Sequence, residues 1–208
     1  MSEMLSGRKI EELLATGESD AESGIGCSPN PCGYDKTQIG GGSLDVRLGC
    51  WFLVMQQSRR SVIDLAKSDS KGLENTDGKY YYVPFGKSFV VHPGRFVLGA
   101  TLEWLSFPAN MGGFITGKSS LGRRGLIIET AAGIQPSFNG CLTLEIYNCG
   151  EVPISITPGM RIAQIFFHLL HGEESTQRSQ FRGKRKPIFG THRHQDFREI
   201  EIQTNLEV

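Results

Sequence analysis

The sequence predicts an all-β fold, a sandwich or barrel with short helices, and three observations point to it. Short segments of strand character recur at 80–84, 88–92, 95–103, 112–116, 126–130, 141–147, 152–156 and 161–169. Turn signals punctuate them: His92-Pro93-Gly94, Asn139-Gly140, Cys149-Gly150 and Thr157-Pro158-Gly159. Glycine supplies 26 of the 208 residues, which favours many tight turns over long helices.

Taken in order, Ser6 to Gly17 reads as a short amphipathic helix. Ser6 can cap it, Ile10, Leu13 and Leu14 form one stripe, and Gly17 can end it. Residues 18–42 are polar and rich in Gly, Ser, Pro and Asp, and read as a long loop. From Ser43 the period becomes two: Leu44, Val46 and Leu48 alternate with Asp45 and Arg47, and Phe52 to Met55 continues the strand signal. A second polar loop spans 66–79. The chain therefore reads as a single domain over 1–208, with a helix at 1–17, a loop at 18–42, a β core at 43–170 and a C-terminal tail at 171–208.

Composition narrows the function. The formal net charge is zero, which argues against a broad nucleic-acid surface. The first residues include acids and no apolar run, so no signal peptide is expected, and no stretch approaches the length of a membrane span. Five scattered cysteines suggest no disulfide framework, and a reducing cytoplasm is the expected compartment. Cys141 and Cys149 sit in or beside an apolar strand, as small core residues do. From Ser175 to Gln195 the tail has no acid and carries Arg178, Arg182, Lys184, Arg185, Lys186 and Arg193. Such a tail is either a solvated basic segment or a lid whose cations close on an anionic ligand.

Two motifs are misleading. Gly112 to Ser119 matches the pattern G-x-x-x-x-G-K-[ST], but Phe114, Ile115 and Thr116 are strand formers, and two glycines in LGRRG leave little room for the helix a phosphate loop requires. His171-Gly172-Glu173 mimics half of the zinc-deaminase signature, yet no P-C-x-x-C follows, and the His192/His194 pair lies in the basic tail. No catalytic zinc is expected.

Residues 117–148 carry the chemistry. Lys118, Ser119, Ser120 and Arg123, with a flexible Gly122, can surround phosphate oxygens, although a plain polar turn uses the same residues. Glu145 shares a strand face with Thr143 and Tyr147, opposite Leu142, Leu144 and Ile146. Facing solvent, it is an ordinary surface acid; covered by another subunit, it is desolvated and suited to proton transfer.

These segments resemble the metal-independent dCTP deaminases of the trimeric dUTPase superfamily. The resemblance lies in GSLDVRLG at 42–49, HPGRFVLGATLEWLSFP at 92–108, GKSSLGRRGL, TAAGIQPSFNG, LTLEIYN and PGMRIAQIFF, in that order. It implies a distorted β-barrel or jelly roll of dUTPase-like type, a homotrimer with sites between subunits, and magnesium accompanying the triphosphate. Glu145 matches the catalytic glutamate, which activates water against C4 of cytosine and passes protons to departing ammonia. By the same resemblance Ser119 holds the water and the amine, and Arg123 stabilises charge building on the ring. Lys118 and Ser120, with the adjoining Leu121 and Gly122, line the phosphates; Ala131 and Ala132 read the base edge through their backbone; Thr143 and Leu144 line the nucleoside; and Phe138 packs against the sugar.

The chain departs from the family pattern in two places. Gln135 stands where an aspartate grips the sugar 3′-hydroxyl, and its uncharged amide counts against dUTPase or bifunctional chemistry. In the tail, FRGKRKPIFG keeps Gly183-Lys184 of the lid pattern, with Phe181 for its aromatic residue, lacks the glutamine, and adds Arg185 and Lys186. Lys184 is the expected triphosphate ligand. The reading is hydrolysis of dCTP to dUTP and ammonia. A dUTPase-type pyrophosphohydrolase and a non-catalytic nucleotide-binding homologue remain as alternatives.

Overall fold

A computed structural model describes residues 3–19, 23–29, 34–55, 78–129, 133–171 and 182–189. The helix spans Gly7–Ser19, and the Ser6 hydroxyl accepts from the Lys9 amide at 3.3 Å as its cap. Ile10 and Leu14 are buried, with Leu13 packed beside them. Gly17 does not end the helix. It lies within the last turns because the backbone at Ile25 passes against it, and a Cβ there would sit 2.2 Å from the Ile25 carbonyl oxygen.

The predicted loop at 18–42 holds two elements. Gly26–Pro29 pairs antiparallel with Glu103–Ser106. A turn of 3-10 helix covers Lys36–Gln38, with Asp35 accepting from the Thr37 amide and the Gln38 side chain accepting from the Asp35 amide, both at 2.9 Å. The short strand is made by backbone pairing, so its polar composition gave no alternating signal.

Two larger sheets position the site. In one, Arg161–Leu169 pairs with Met111–Gly117 along one side and with Leu44–Arg47 and Glu3–Met4 along the other. In the second, the order is Leu126–Glu129, Thr143–Asn148, Phe96–Ala100, Trp51–Met55 and Gly78–Tyr82. The core lies against their inner faces, where Leu44, Val46, Phe52, Leu144, Ile146, Ile165 and Phe167 are fully buried. Met111–Gly117 is paired residue by residue with 163–169, which removes the phosphate-loop reading of Gly112 to Ser119. The strand predicted at 95–103 is broken at Thr101, whose hydroxyl donates to the Glu103 carbonyl and accepts from the Leu142 amide, both at 2.9 Å. Among the described residues, no helix is long and apolar enough to cross a membrane.

The cysteines divide differently from expectation. Cys141 is buried, but Cys149 is exposed, because it follows the strand Thr143–Asn148 instead of lying in it. Burial, reinforced by the nearby Glu103 carboxylate, pushes the Cys27 thiol up to about 12, and burial pushes Cys141 up to about 11. Only thiolate reacts, so mass-mapped alkylation of native protein at pH 8 should modify Cys149 and spare Cys27 and Cys141. The folded state keeps the Cys27 proton longer than the unfolded chain does. Its stability contribution is therefore complete below the ordinary thiol value of 9.0 and is lost as pH rises toward 12. Rapid labelling of Cys27 at pH 8 in folded protein would contradict this packing.

Candidate active site

Glu145 sits mid-strand in Thr143–Asn148, the second strand of the five-stranded sheet. The pleat divides that strand as its alternation requires. Leu144, Ile146 and Asn148 point into the core, while Thr143 and Glu145 are half-buried and Tyr147 is exposed. Register places Glu145 opposite Leu98 on one neighbour and Glu129 on the other, and Leu98 lies opposite Leu53. Along the same face Phe96 pairs with Tyr147, and the two are 39% and 37% exposed. The carboxylate thus stands between Leu98 and Glu129 on a sheet face that a single chain leaves partly open.

The basic turn forms as the sequence suggests. Lys118 is the N-cap of a single helical turn over Ser119–Gly122. Ser119, Ser120, Gly122 and Arg123 are exposed, and Leu121 packs against the core. Arg124 closes the turn by donating to the Ser120 carbonyl at 2.6 Å. The turn is not beside Glu145 of the same chain. The strand leading into it runs against Ile128, where a Cβ on Gly117 would come within 3.0 Å of Ile128. Ile128 pairs with Ile146 on the buried face, whereas Glu145 occupies the opposite face. The edge strand Leu126–Glu129 therefore separates the turn from Glu145 within one chain.

Two further charged residues join the turn: Asp45, read from the sequence only as a polar strand position, and Arg161, which the sequence reading did not single out. The Lys118 ammonium is held by both oxygens of Asp45 at 2.6 Å each. This works because Thr116, Gln164 and Asp45 lie in one row across three strands, so Lys118 reaches over the middle strand to the carboxylate. The Arg161 guanidinium lies 3.9 Å from the same carboxylate and donates to the Thr37 carbonyl at 2.7 Å. Strand alternation placed Asp45 on a polar face, but no local pattern reports which residue it meets across the sheet.

Of the remaining expected residues, Gln135 is exposed and its carbonyl accepts from the Phe138 amide at 3.2 Å. The Phe138 ring is buried, edge-on to Phe107 with ring centres 6.5 Å apart. Lys184 is exposed, and its carbonyl accepts from the Cys141 amide at 2.9 Å. Ala131, Ala132, Phe181, Glu173, His192 and His194 lie outside the described residues.

The dCTP deaminase-like family model matches residues 4–170, which takes in the helix, both large sheets, the basic turn and Glu145. The chain belongs to the dCTP deaminase-like family. Members similar to it include a "dCTP deaminase, dUMP-forming" of Corynebacterium kroppenstedtii, 35% identical over 88% of this chain and 94% of that protein. A protein of the same name in Mycobacterium bovis is 39% identical over 78% of each chain. A dCTP deaminase structure from Agrobacterium tumefaciens superposes with a TM-score of 0.59 at 23% identity, covering 82% of this chain. This chain spans about half of that one, 49%. The likeness shows the fold, a distorted β-barrel of dUTPase-like type. The family match stops short of the segment at 182–189.

Proposed function

We propose that the chain is an enzyme that hydrolyses the exocyclic amine of dCTP, with Glu145 as general acid–base. What supports this reading is one placement: a carboxylate fixed mid-sheet on a half-covered face, inside the segment shared with the deaminase family. Glu145 takes a proton from a water attacking C4 of the ring. The tetrahedral centre collapses as the proton passes to the amine, and ammonia departs. Ser119 orients the water and amine, Arg123 stabilises the developing ring charge, and Lys118 and Ser120 with Leu121 and Gly122 receive the phosphates. The Ala131–Ala132 backbone, Gln135, Phe138, Thr143 and Leu144 border the nucleoside, and Lys184 approaches from the tail. Magnesium, when it accompanies the nucleotide, would neutralise part of the triphosphate charge that Lys118 and Lys184 face. Among the described residues no group of three or more His, Cys, Asp or Glu gathers at one point.

Two features of the chain support an active site shared between subunits, and the motif resemblance supplies the homotrimer. Within one chain the edge strand separates the basic turn from Glu145, and Phe96 and Tyr147 beside Glu145 are open for a neighbour to cover. Each Glu145 would then work with Arg123 of another copy. Complementation tests this. Glu145→Gln and Arg123→Ala should each be inactive alone. Random hybrids of the two should recover about a quarter of wild-type activity, because one site in four pairs two intact contributors. No recovery in verified hybrids would place both residues in one chain's site.

The names of the relatives favour a second step, from dUTP to dUMP and pyrophosphate. Gln135 in place of an aspartate weighs for deamination alone, with dUTP as the product. Incubating the protein with cytosine and uracil deoxynucleotides and assaying ammonia and pyrophosphate in parallel separates these outcomes. Ammonia alone gives dUTP, both products give dUMP, and pyrophosphate from dUTP alone would make the protein a dUTPase. Binding without either product would leave a nucleotide-binding homologue.

A further inference from the structure

The two tryptophans of the chain, Trp51 and Trp104, both face cations from the tail. The Arg185 guanidinium lies 4.7 Å from the Trp104 ring centre, and the Lys186 ammonium lies 3.8 Å from that of Trp51. The same ammonium is 5.8 Å from the ring of Tyr80, whose hydroxyl donates to the Pro187 carbonyl at 2.8 Å. The backbone adds two bonds: the Gly183 amide donates to the Asn139 carbonyl at 2.6 Å, and the Cys141 amide to the Lys184 carbonyl at 2.9 Å. Pro187 is buried, and Phe189 lies so close to Gly78 that a Cβ there would meet its ring at 2.6 Å. Adjacent cations on separate indoles, joined to backbone pairing and an enclosed proline, make a specific attachment. A solvated basic segment would show none of these contacts.

The attachment also accounts for a departure from the family's lid pattern. Arg185 and Lys186 are the added cations, and in this structure each is occupied by an aromatic face. Between them and Gly183, the Lys184 side chain is left exposed while its peptide is pinned to Cys141. Cys141 lies two residues before Thr143 and four before Glu145, at the head of the strand that carries the acid. Arg185 also walls a cleft of about 390 Å³ lined by Trp51, Tyr82 and Phe85.

We infer that Arg185 and Lys186, with Trp104 and Trp51, form a cation–π clasp that positions Lys184 beside the Glu145 strand of its own chain. The clasp itself is independent of the catalytic assignment, while its kinetic consequence rests on the deaminase reading given above. Lys184 would meet the phosphate end of the ligand. The clasp would therefore act on binding more than on the chemical step.

Because these are the chain's two tryptophans, the clasp has its own spectroscopic signal. In the full chain, Arg185→Gln with Lys186→Gln should red-shift tryptophan emission and increase quenching by acrylamide. The swap Arg185→Lys with Lys186→Arg should restore the native spectrum. The glutamine pair should raise KM for dCTP by roughly fivefold or more and change kcat by less than about twofold. Trp104→Leu, which keeps both cations, should raise KM similarly, whereas a role through net charge alone would leave it unmoved. Lys184→Gln should raise KM without altering the emission. Unchanged emission and quenching in the glutamine pair would overturn the clasp. A spectral change with KM unaltered would overturn the positioning role. Should the wild-type protein release no ammonia, the deaminase reading fails, while the emission result and the dCTP dissociation constant of each variant still decide the clasp.

Discussion

Replacing Glu145 with Gln should abolish ammonia release from dCTP while leaving the fold intact. The amide has the same shape and still accepts a hydrogen bond, but it cannot take a proton from water. Loss of a positioned general acid–base is worth about 10²–10⁴ in rate, and more where one group serves both proton transfers, so kcat should fall by at least about 10³. Stability should hardly change. Glu145 is half-buried, and the strand is anchored through Leu144, Ile146 and Asn148 on its other face. The Asn148 side chain donates to the Val91 and Val152 carbonyls at 2.9 Å each, which fixes the strand end independently of Glu145. Steady-state ammonia release together with a melting curve checks both parts. A variant with kcat within tenfold of wild type would remove Glu145 from the chemistry.

The second large effect is expected on stability. Glu103 is fully buried, and its carboxylate accepts from the Arg47 side chain at 2.7 Å, the Arg47 amide at 2.8 Å and the Gln38 amide nitrogen at 3.1 Å. Glu103→Ala takes from the Arg47 guanidinium, which is only 16% exposed, the carboxylate it meets at 2.7 Å, and leaves the Gln38 and Arg47 amide donors without that acceptor. Removing one partner of a buried pair costs about 3–5 kcal/mol, against a total domain stability on the order of 5–15. Urea denaturation should therefore show a much lower midpoint with the slope preserved. Replacing both partners by methionine should recover a large part of the loss, since the pair's own desolvation cost disappears with it. A single-variant loss below about 1 kcal/mol would mean that water reaches the pair.

This buried pair also links the core to the basic turn. The same Gln38 amide that reaches Glu103 donates to the Asp45 carbonyl at 2.8 Å, and the Asp45 carboxylate holds Lys118. The links are a hydrogen-bonded chain of rigid elements, so loosening Glu103 should disturb the turn as well as the fold.

Much of this protein was legible in the sequence. Alternation in 141–147 determined which residues of that strand face the core, and the structure buries Leu144 and Ile146 while leaving Glu145 half-covered. The strand-forming run through Phe114 to Thr116 determined that Gly112 to Ser119 begins as a strand. Ser6 marked the helix start. These are consequences of backbone period and capping, which act over a few residues and so appear in a short window of sequence.

What only the tertiary structure decided is partnership across distance. Asp45 meets Lys118, Arg47 meets Glu103, and Arg185 and Lys186 meet Trp104 and Trp51. Gly17 was misleading for the same reason: it is selected by the approach of Ile25 from another segment, not by the end of its own helix. Cys149 looked like core because it lies beside an apolar strand, yet the strand ends one residue earlier and Cys149 is exposed. Periodicity states which face a side chain occupies. Sheet register and chain return state what stands opposite it, and those depend on pairings whose closure no local pattern encodes.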